Sequence, residues 1–248
     1  VAHAVGVCRR CVIVSAYLPA PVALVQAAED GWRLHVDEYV PVGRAPRATV
    51  VCGHAMMVDR RTLARPDRPT LVSALVEDGC RVLVPDLRGH GESGPVPREG
   101  GAWGYDDLVR DVGAYMTLAH ARGDGEPVVL LGHSLFGHVA LAHLATSPSR
   151  RPDALVLIAT NVWGGAWEPK PWRLALKRVL ARFTKLPVWL FRRAPVRLLR
   201  IGTADESRGY WADLTRFTLK GRWASREGRD YYAGLPEVNL PVLTVLSD

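Results

Sequence analysis

The sequence predicts an α/β protein: a doubly wound, mostly parallel sheet with a helical segment inserted late in the chain. Three observations carry that expectation. Short apolar runs alternate with stretches of helical periodicity from Val22 to Ala159. One run, Val128-Val129-Leu130-Leu131, passes directly into Gly132-His133-Ser134, and an apolar, helix-favouring stretch, Val139 to Ala145, follows it. The alternation stops at Trp163 and resumes only with Pro241-Val242-Leu243-Thr244-Val245-Leu246. A tightly bounded apolar run is the pattern of a strand buried on both faces, and the helix after it packs back onto the sheet.

In chain order, Val22 to Ala27 is expected to be the first strand and Glu29-Asp30-Gly31 a turn. Trp32 to Val40 sets Trp32, Leu34 and Val36 against Arg33, His35 and Asp37, the alternation of a half-buried antiparallel strand. Val42 to Arg47 is a loop; Ala48 to Cys52 is a buried strand leading into Gly53-His54-Ala55-Met56-Met57. Thr70 to Asp78 reads as a helix with Leu71, Leu75 and Val76 toward the core. Arg81 to Val84 is a strand, Asp106 to Ala121 a helix, and Ala154 to Ala159 a strand ending at Thr160-Asn161. From Trp163 to about Leu235 there is no strand signal. Trp172, Leu176, Val179, Leu180, Phe183 and Leu190 recur there at helical spacing, with Arg173, Lys177, Arg182 and Lys185 off the stripe. Packing of this segment on the sheet explains such a stripe, and Pro187 and Pro195 divide the segment into short helices. Val242 to Leu246 is the last buried strand.

A chain of 248 residues can bury one large core with an insertion. Its 48% hydrophobic and 23% charged residues are ordinary for a globular protein. No segment has the unbroken apolar length of a transmembrane helix. Arg9 and Arg10 precede a short apolar run, Cys11 to Leu18, and then Pro19-Ala20-Pro21, without a small-x-small cleavage site. Residues 1–21 are therefore expected to be a disordered N-terminal extension and the protein cytoplasmic. The initial Val suggests a fragment. Cys8 and Cys11 form a lone C-x-x-C with no second pair and no histidine couple, which disfavours zinc. Cys52 and Cys80 fall in strands, as small buried thiols do, and no cofactor is expected.

The net charge of +7 is local. Glu168 to Asp230 holds sixteen Lys/Arg against six Asp/Glu, and the remainder is slightly acidic. A solvated helix face explains such a bias; a nucleic acid or a membrane surface is the functional alternative. Trp163, Trp167, Trp172, Trp189, Trp211 and Trp223 interleave with arginine, but no nucleic-acid motif is present, so no nucleic-acid partner is expected. Peripheral membrane contact through the basic segment stays in play, and the oligomeric state is open.

The chemistry gathers around Ser134. A serine at a tight strand-to-helix turn has a strained backbone that lifts its hydroxyl off the carboxyl edge of the sheet, and small neighbours let strand and helix approach. Gly132-His133-Ser134 matches the first half of the Gly-x-Ser-x-Gly nucleophile elbow. Phe136 takes the place of the second glycine, with Gly137 one residue later. A bulky residue there is expected to crowd the neighbouring strand, adjusting the elbow or shifting the helix. Asp86-Leu87-Arg88-Gly89-His90-Gly91-Glu92-Ser93 follows a strand and precedes the elbow. Together these motifs resemble the α/β-hydrolase superfamily, over roughly Ala27 to the end and most closely from His54 to Ala159. Trp103-Gly104-Tyr105-Asp106-Asp107 and Gly228-x-Asp230-Tyr231 are similar to uncharacterised predicted α/β-hydrolases with an inserted lid.

The resemblance implies an α/β-hydrolase core at 22–161 and 236–248, and a helical lid at 162–235. It implies Ser134 as nucleophile, with an oxyanion hole from the backbone of Leu135 and of Met56; a one-residue slip would substitute Ala55 or Met57. Asp86 and Arg88 would brace loops, with His90 part of their turn rather than a base. The family order is serine, acid, histidine. The acid would follow Val242–Leu246, two residues beyond Asp248, with Asp248 as its acidic neighbour or, if the register slips, the acid itself. The alternative acid position holds Asn161. No histidine follows His143; the eight are at 3, 35, 54, 90, 120, 133, 138 and 143, and none is well placed as the base. The expectation is a serine hydrolase of apolar esters or acyl compounds, truncated before the triad acid, histidine, last strand and last helix, and inactive as it stands. Strand 242–246 would then be an exposed apolar edge. The rival is a non-catalytic relative binding lipid or a protein through its basic lid.

Overall fold

The computed structural model describes residues 17–146, 148–160, 168 and 170–246. Among the described residues nine strands form in chain order: β1 (Val22–Ala27), β2 (Arg33–Tyr39), β3 (Ala48–Gly53), β4 (Cys80–Pro85), β5 (Val128–His133), β6 (Ala154–Ile158), β7 (Arg193–Ala194), β8 (Glu206–Ser207) and β9 (Val242–Val245). Seven build one sheet in the order β1-β2-β4-β3-β5-β6-β9. β2 is antiparallel to β1 and β4, and the other neighbours are parallel. Strand order reverses between β3 and β5, whose registers pair Gly53 with Gly132. The loop after β3 and the turn after β5 therefore leave the same carboxyl edge side by side, where open α/β sheets take ligands.

The helices are α1 (Leu71–Glu77), α2 (Tyr105–Arg122), α3 (Leu135–Leu144), α4 (Pro171–Phe183), α5 (Lys185–Phe191), α6 (Arg208–Lys220) and α7 (Tyr231–Gly234). Thr70 starts α1 by accepting from Ser73 N–H, while Ser73 Oγ accepts from Thr70 N–H. Two apolar layers flank the sheet. Val50, Val82 and Val84 meet Val72 and Val76 of α1 on one side. Leu83 and Leu130 meet Tyr115 and Met116 of α2 and Val139 of α3 on the other. Each such buried side chain contributes about 1.5–3 kcal/mol. Cys52 and Cys80 are buried free thiols, and burial raises Cys52 to about 12, so it behaves as a small apolar residue.

The described residues between β6 and β9 add no strand to the large sheet and divide into two unlike halves. Its second half docks on α2: Trp223 and Tyr231 are buried, Trp223 donates to the Tyr105 hydroxyl at 3.0 Å, and the Tyr231 hydroxyl donates to Asp106 at 2.8 Å. The Tyr105-Asp106 and Asp230-Tyr231 stretches thus meet in space. Its first half carries α4, no residue of which is buried.

Several expectations need correction. β2 is buried on both faces rather than alternating, because His35 and Asp37 find partners from afar: Asp37 accepts from Arg60 at 2.6 Å, and His35 N–H donates to Ser93 Oγ at 2.8 Å. On α1, Leu71, Leu75 and Val76 do face the core as expected, Leu71 and Leu75 half-buried, and Val72 and Ser73 are buried with them. Pro187 does not divide helices: it lies in the first turn of α5, where a backbone N–H has no intrahelical acceptor, and the break falls at Thr184. The insertion does contain strands, the two-residue pair β7–β8. β9 pairs with β6 at the edge of the sheet and its side chains are exposed, so 242–246 is the exposed apolar edge expected of it and not a strand buried on both faces. Residues 1–16, with Cys8 and Cys11, lie outside the described residues, as do Asn161, Trp163, Trp167 and Asp248.

Candidate active site

Ser134 joins β5 to α3 with φ +51° and ψ −104°, a backbone conformation open to few residues with a side chain. It is held there from both ends. Its N–H donates to Ile158 O at 2.9 Å, and its carbonyl accepts the first helical bond, from His138 N–H at 3.0 Å. A Cβ on Gly132 would stand 2.3 Å from Gly137 Cα, so Gly137 supplies the close approach expected of the second glycine. Phe136 crowds nothing: its ring is fully buried over Gly53, where a Cβ would lie 2.0 Å from the ring. The expected shift of the elbow is unnecessary because the neighbouring strand ends in glycine. Leu135 follows as the first residue of α3, with its N–H among the helix donors that lack an intrahelical acceptor.

The loop after β3 runs beside this turn. His54 is fully buried; its Nδ1 lies 2.7 Å from Ala55 O, and its Nε2 accepts from Leu87 N–H at 3.0 Å. Burial lowers its pKa to about 3, so it stays neutral with both nitrogens engaged. Met57 has φ +64°, and its N–H donates to Glu206 Oε1 at 2.7 Å. Its carbonyl accepts from Thr203 and Ala204 N–H at 2.8 and 3.0 Å. Met57 N–H is thereby engaged, and of the three predicted registers those at Ala55 and Met56 keep an uncommitted donor among the described residues.

The Asp86–Ser93 turn is a brace, as predicted. Arg88 grips Asp111 through Nε at 2.8 Å and Nη2 at 2.6 Å, and Asp30 through Nη1 at 2.5 Å. Asp86, fully buried, accepts from Arg60 N–H at 3.0 Å and Glu92 N–H at 2.8 Å, and pairs with the Arg60 guanidinium. Gly91, at φ +50°, leaves room for that carboxylate, since a Cβ there would lie 2.0 Å from Asp86 Oδ2. Burial pushes Asp86 and Asp111 above the usual carboxylate range, against their arginine partners.

No described histidine hydrogen-bonds to Ser134. His138 Nδ1 lies 3.1 Å from the Tyr105 hydroxyl, its ring stacks on Trp223 at 4.7 Å, and burial lowers it to about 3. His143 Nδ1 lies 3.0 Å from Val109 O, and burial lowers it to about 4. His35 pairs with Asp37 at 2.8 Å, His120 is exposed near the end of α2, and burial lowers half-buried His133.

His90 faces a residue that the sequence reasoning missed. Fully buried, its Nδ1 lies 2.9 Å from Arg88 O and its Nε2 3.2 Å from Glu206 Oε1. Burial opposes a charge on His90, yet Glu206 and the Arg88 carbonyl together hold its pKa above the ordinary value. Glu206 belongs to β8 of the insertion and is itself fully buried, so one carboxylate joins the insertion to the His90 turn and to the Met57 loop. A signal was present: residues 169–204 contain no acid, and Asp205-Glu206 ends that run. Among the described residues no cluster of His, Cys, Asp and Glu could hold a metal ion, and no helix is long and apolar enough to cross a membrane.

A family model described as serine aminopeptidase, S33 (Hydrolase_4) matches residues 45–213. Lipase LipV of Mycobacterium tuberculosis is 35% identical over 127 residues, 50% of this chain; the match spans 41% of LipV, well under its full length. Among solved structures, a lipase in its open form shares 21% identity over 91% of this chain and 79% of its own, at a TM-score of 0.57. An esterase of Exiguobacterium antarcticum shares 16% over 90% and 80%, at 0.56. A thermostable carboxyl esterase of Bacillus coagulans shares 16% over 92% and 90%, at 0.52. At those identities the three structures share the fold.

Proposed function

The chain belongs to the serine aminopeptidase S33 (Hydrolase_4) family of α/β-hydrolases, with esterase- and lipase-like relatives, and on that premise we propose that it hydrolyses carboxylic esters through an acyl-enzyme on Ser134. The observation that carries the reading is the backbone of Ser134, held at φ +51° where β5 meets α3. Backbone strain of this kind persists where the surroundings over-determine it, and at a strand-to-helix turn it presents the hydroxyl to the carboxyl edge of the sheet.

In this mechanism Ser134 Oγ attacks the ester carbonyl carbon while its proton passes to a base. The carbonyl oxygen takes up the electron pair, and the backbone N–H groups of Leu135 and Met56 stabilise it. Collapse of the tetrahedral intermediate expels the alkoxide, which takes the proton from the base, and water repeats the sequence to release the acid. Asp248 lies outside the described residues, and the seven described histidines have other surroundings, so the base and its orienting acid stay unassigned. The insertion at 162–235 acts as a lid over this edge, and the apolar residues it packs with Met57, namely Val188, Ala194 and Val196, favour an apolar acyl or aromatic substrate. That no described histidine hydrogen-bonds to Ser134 is what favours a second reading, a non-catalytic relative.

Hydrolysis of p-nitrophenyl esters of increasing acyl length, by protein expressed from the complete reading frame, separates the two. The esterase reading expects turnover that rises with acyl length and a loss in Ser134→Ala on the order of 10⁶-fold. Turnover that Ser134→Ala leaves unchanged, or none at all, overturns it.

A further inference from the structure

Helix α4 is amphipathic with its apolar face outward. Trp172, Leu176, Val179, Leu180 and Phe183 fall on one side at 3.6-residue spacing, and all are between 46% and 76% exposed. The half-buried residues Leu174, Lys177, Arg178 and Ala181 occupy the opposite side, so the stripe is not the packing seam that its periodicity suggests. Arg173 and Arg182 lie on the two flanks of the stripe. In α5, which follows directly, Leu186, Trp189 and Leu190 are 63–70% exposed, and further along the chain Leu198, Leu199 and Ile201 are exposed too. Between residues 169 and 204 there are ten Lys/Arg and no acid.

From this arrangement we infer that the outer face of α4 and α5 docks in the plane of an anionic phospholipid bilayer. An apolar patch of this extent needs a partner. Charge selects which one: seven of the ten cations are exposed, while Lys177 and Arg193 turn to Glu168 and Asp205, and this exposed excess complements a negatively charged surface and repels a second copy of the same face. The flanking arginines have the length to lay their stems along the apolar face and set their guanidiniums among headgroups. Helix α4, at 13 residues, is too short to span a bilayer and suited to lie on one. Beside it, a cavity of about 500 Å³ is lined by Val188, Trp189 and Trp211 and carries Lys185, Arg208 and Lys220. That pairing of apolar wall and cations suits a single acyl chain with an anionic headgroup.

The test is co-sedimentation of the whole protein with phosphatidylcholine vesicles, with and without phosphatidylglycerol. Binding is expected only with phosphatidylglycerol and is expected to fall as salt rises. Replacing Arg173, Arg182 and Lys185 by Gln should weaken it on the order of 100-fold. Trp172→Ser with Phe183→Ser should weaken it at least about as much. All these residues are exposed, so each variant should keep the parent's circular dichroism and gel-filtration profile. Ser134→Ala should bind like the parent, which keeps this result separate from the esterase reading. Equal binding to neutral vesicles, or binding that the Gln variant leaves intact, overturns the inference. So does self-association without vesicle binding that Phe183→Ser abolishes, because a second copy would then cover the face.

Discussion

At the β3–β5 edge, Arg88 lies with 3% of its side chain exposed between Asp111 and Asp30, and Phe136 is wholly buried over Gly53. On α4 and α5 the same residue types do the reverse: Phe183 is 76% exposed, and Arg173 and Arg182 stand exposed on either side of its stripe. In the first region Arg88, Asp86 and Asp111 meet charged partners and the Phe136 ring lies in the core, which holds a strained serine and two backbone loops in one arrangement. The second turns its rings and most of its cations outward, which contributes little to folding and suits a surface that meets something else. Between them lies Glu206, carried by the insertion and buried in the core.

The comparison breaks most visibly at Arg88. Arg88→Ala leaves Asp111 buried without its cation and should cost about 3–5 kcal/mol in urea unfolding. A loss below about 1 kcal/mol would mean that the braced edge is no stiffer than the surface.

At the junction, Glu206→Gln keeps an acceptor for Met57 N–H but removes the charge facing His90, at a cost of about 1–3 kcal/mol. The sign with pH follows from the raised pKa of His90. A group with a folded pKa above its unfolded value stabilises fully below the unfolded value, near 6.5, and that contribution fades as pH rises through the folded one. The difference in Tm between parent and Glu206→Gln should therefore be larger at acidic pH and shrink toward alkaline pH. The opposite trend would remove the His90–Glu206 pair as the joint.

The smallest effect belongs to the exposed stripe. Phe183→Ala should change unfolding free energy by no more than about 0.5 kcal/mol. A cost near that of a core phenylalanine, about 3–5 kcal/mol, would place the stripe in a packed interior.

Much of the core was legible because its information is local. The apolar run Val128–Leu131 and the glycines around Ser134 place the strand and the turn within two residues of where they form, while the helix starts at Leu135, four residues before the stretch from Val139 that suggested it. Tertiary partners were not legible. His35 and Asp37 read as outward-facing polar residues because Arg60 and Ser93, which bury them, lie more than twenty residues away. The relief of Phe136 by Gly53 is a contact across 83 residues, and Glu206 reaches His90 across 116. Periodicity located the stripe on α4 but carries no sign, since a 3.6-residue repeat is the same whether its face turns in or out. The oxyanion donors fall between these cases: pattern brought the choice to Ala55, Met56 or Met57, and only the bond from Met57 N–H to Glu206 narrows it.

The central claim is that the strained serine between β5 and α3 is a nucleophile. Its most direct measurement is treatment of the folded protein, expressed from the complete reading frame, with a fluorophosphonate, followed by mass spectrometry of its peptides. The expected result is a single phosphonyl adduct on Ser134, absent from Ser134→Ala at unchanged Tm. An unmodified Ser134 in folded protein, or equal labelling of the Ser134→Ala variant, would contradict the claim.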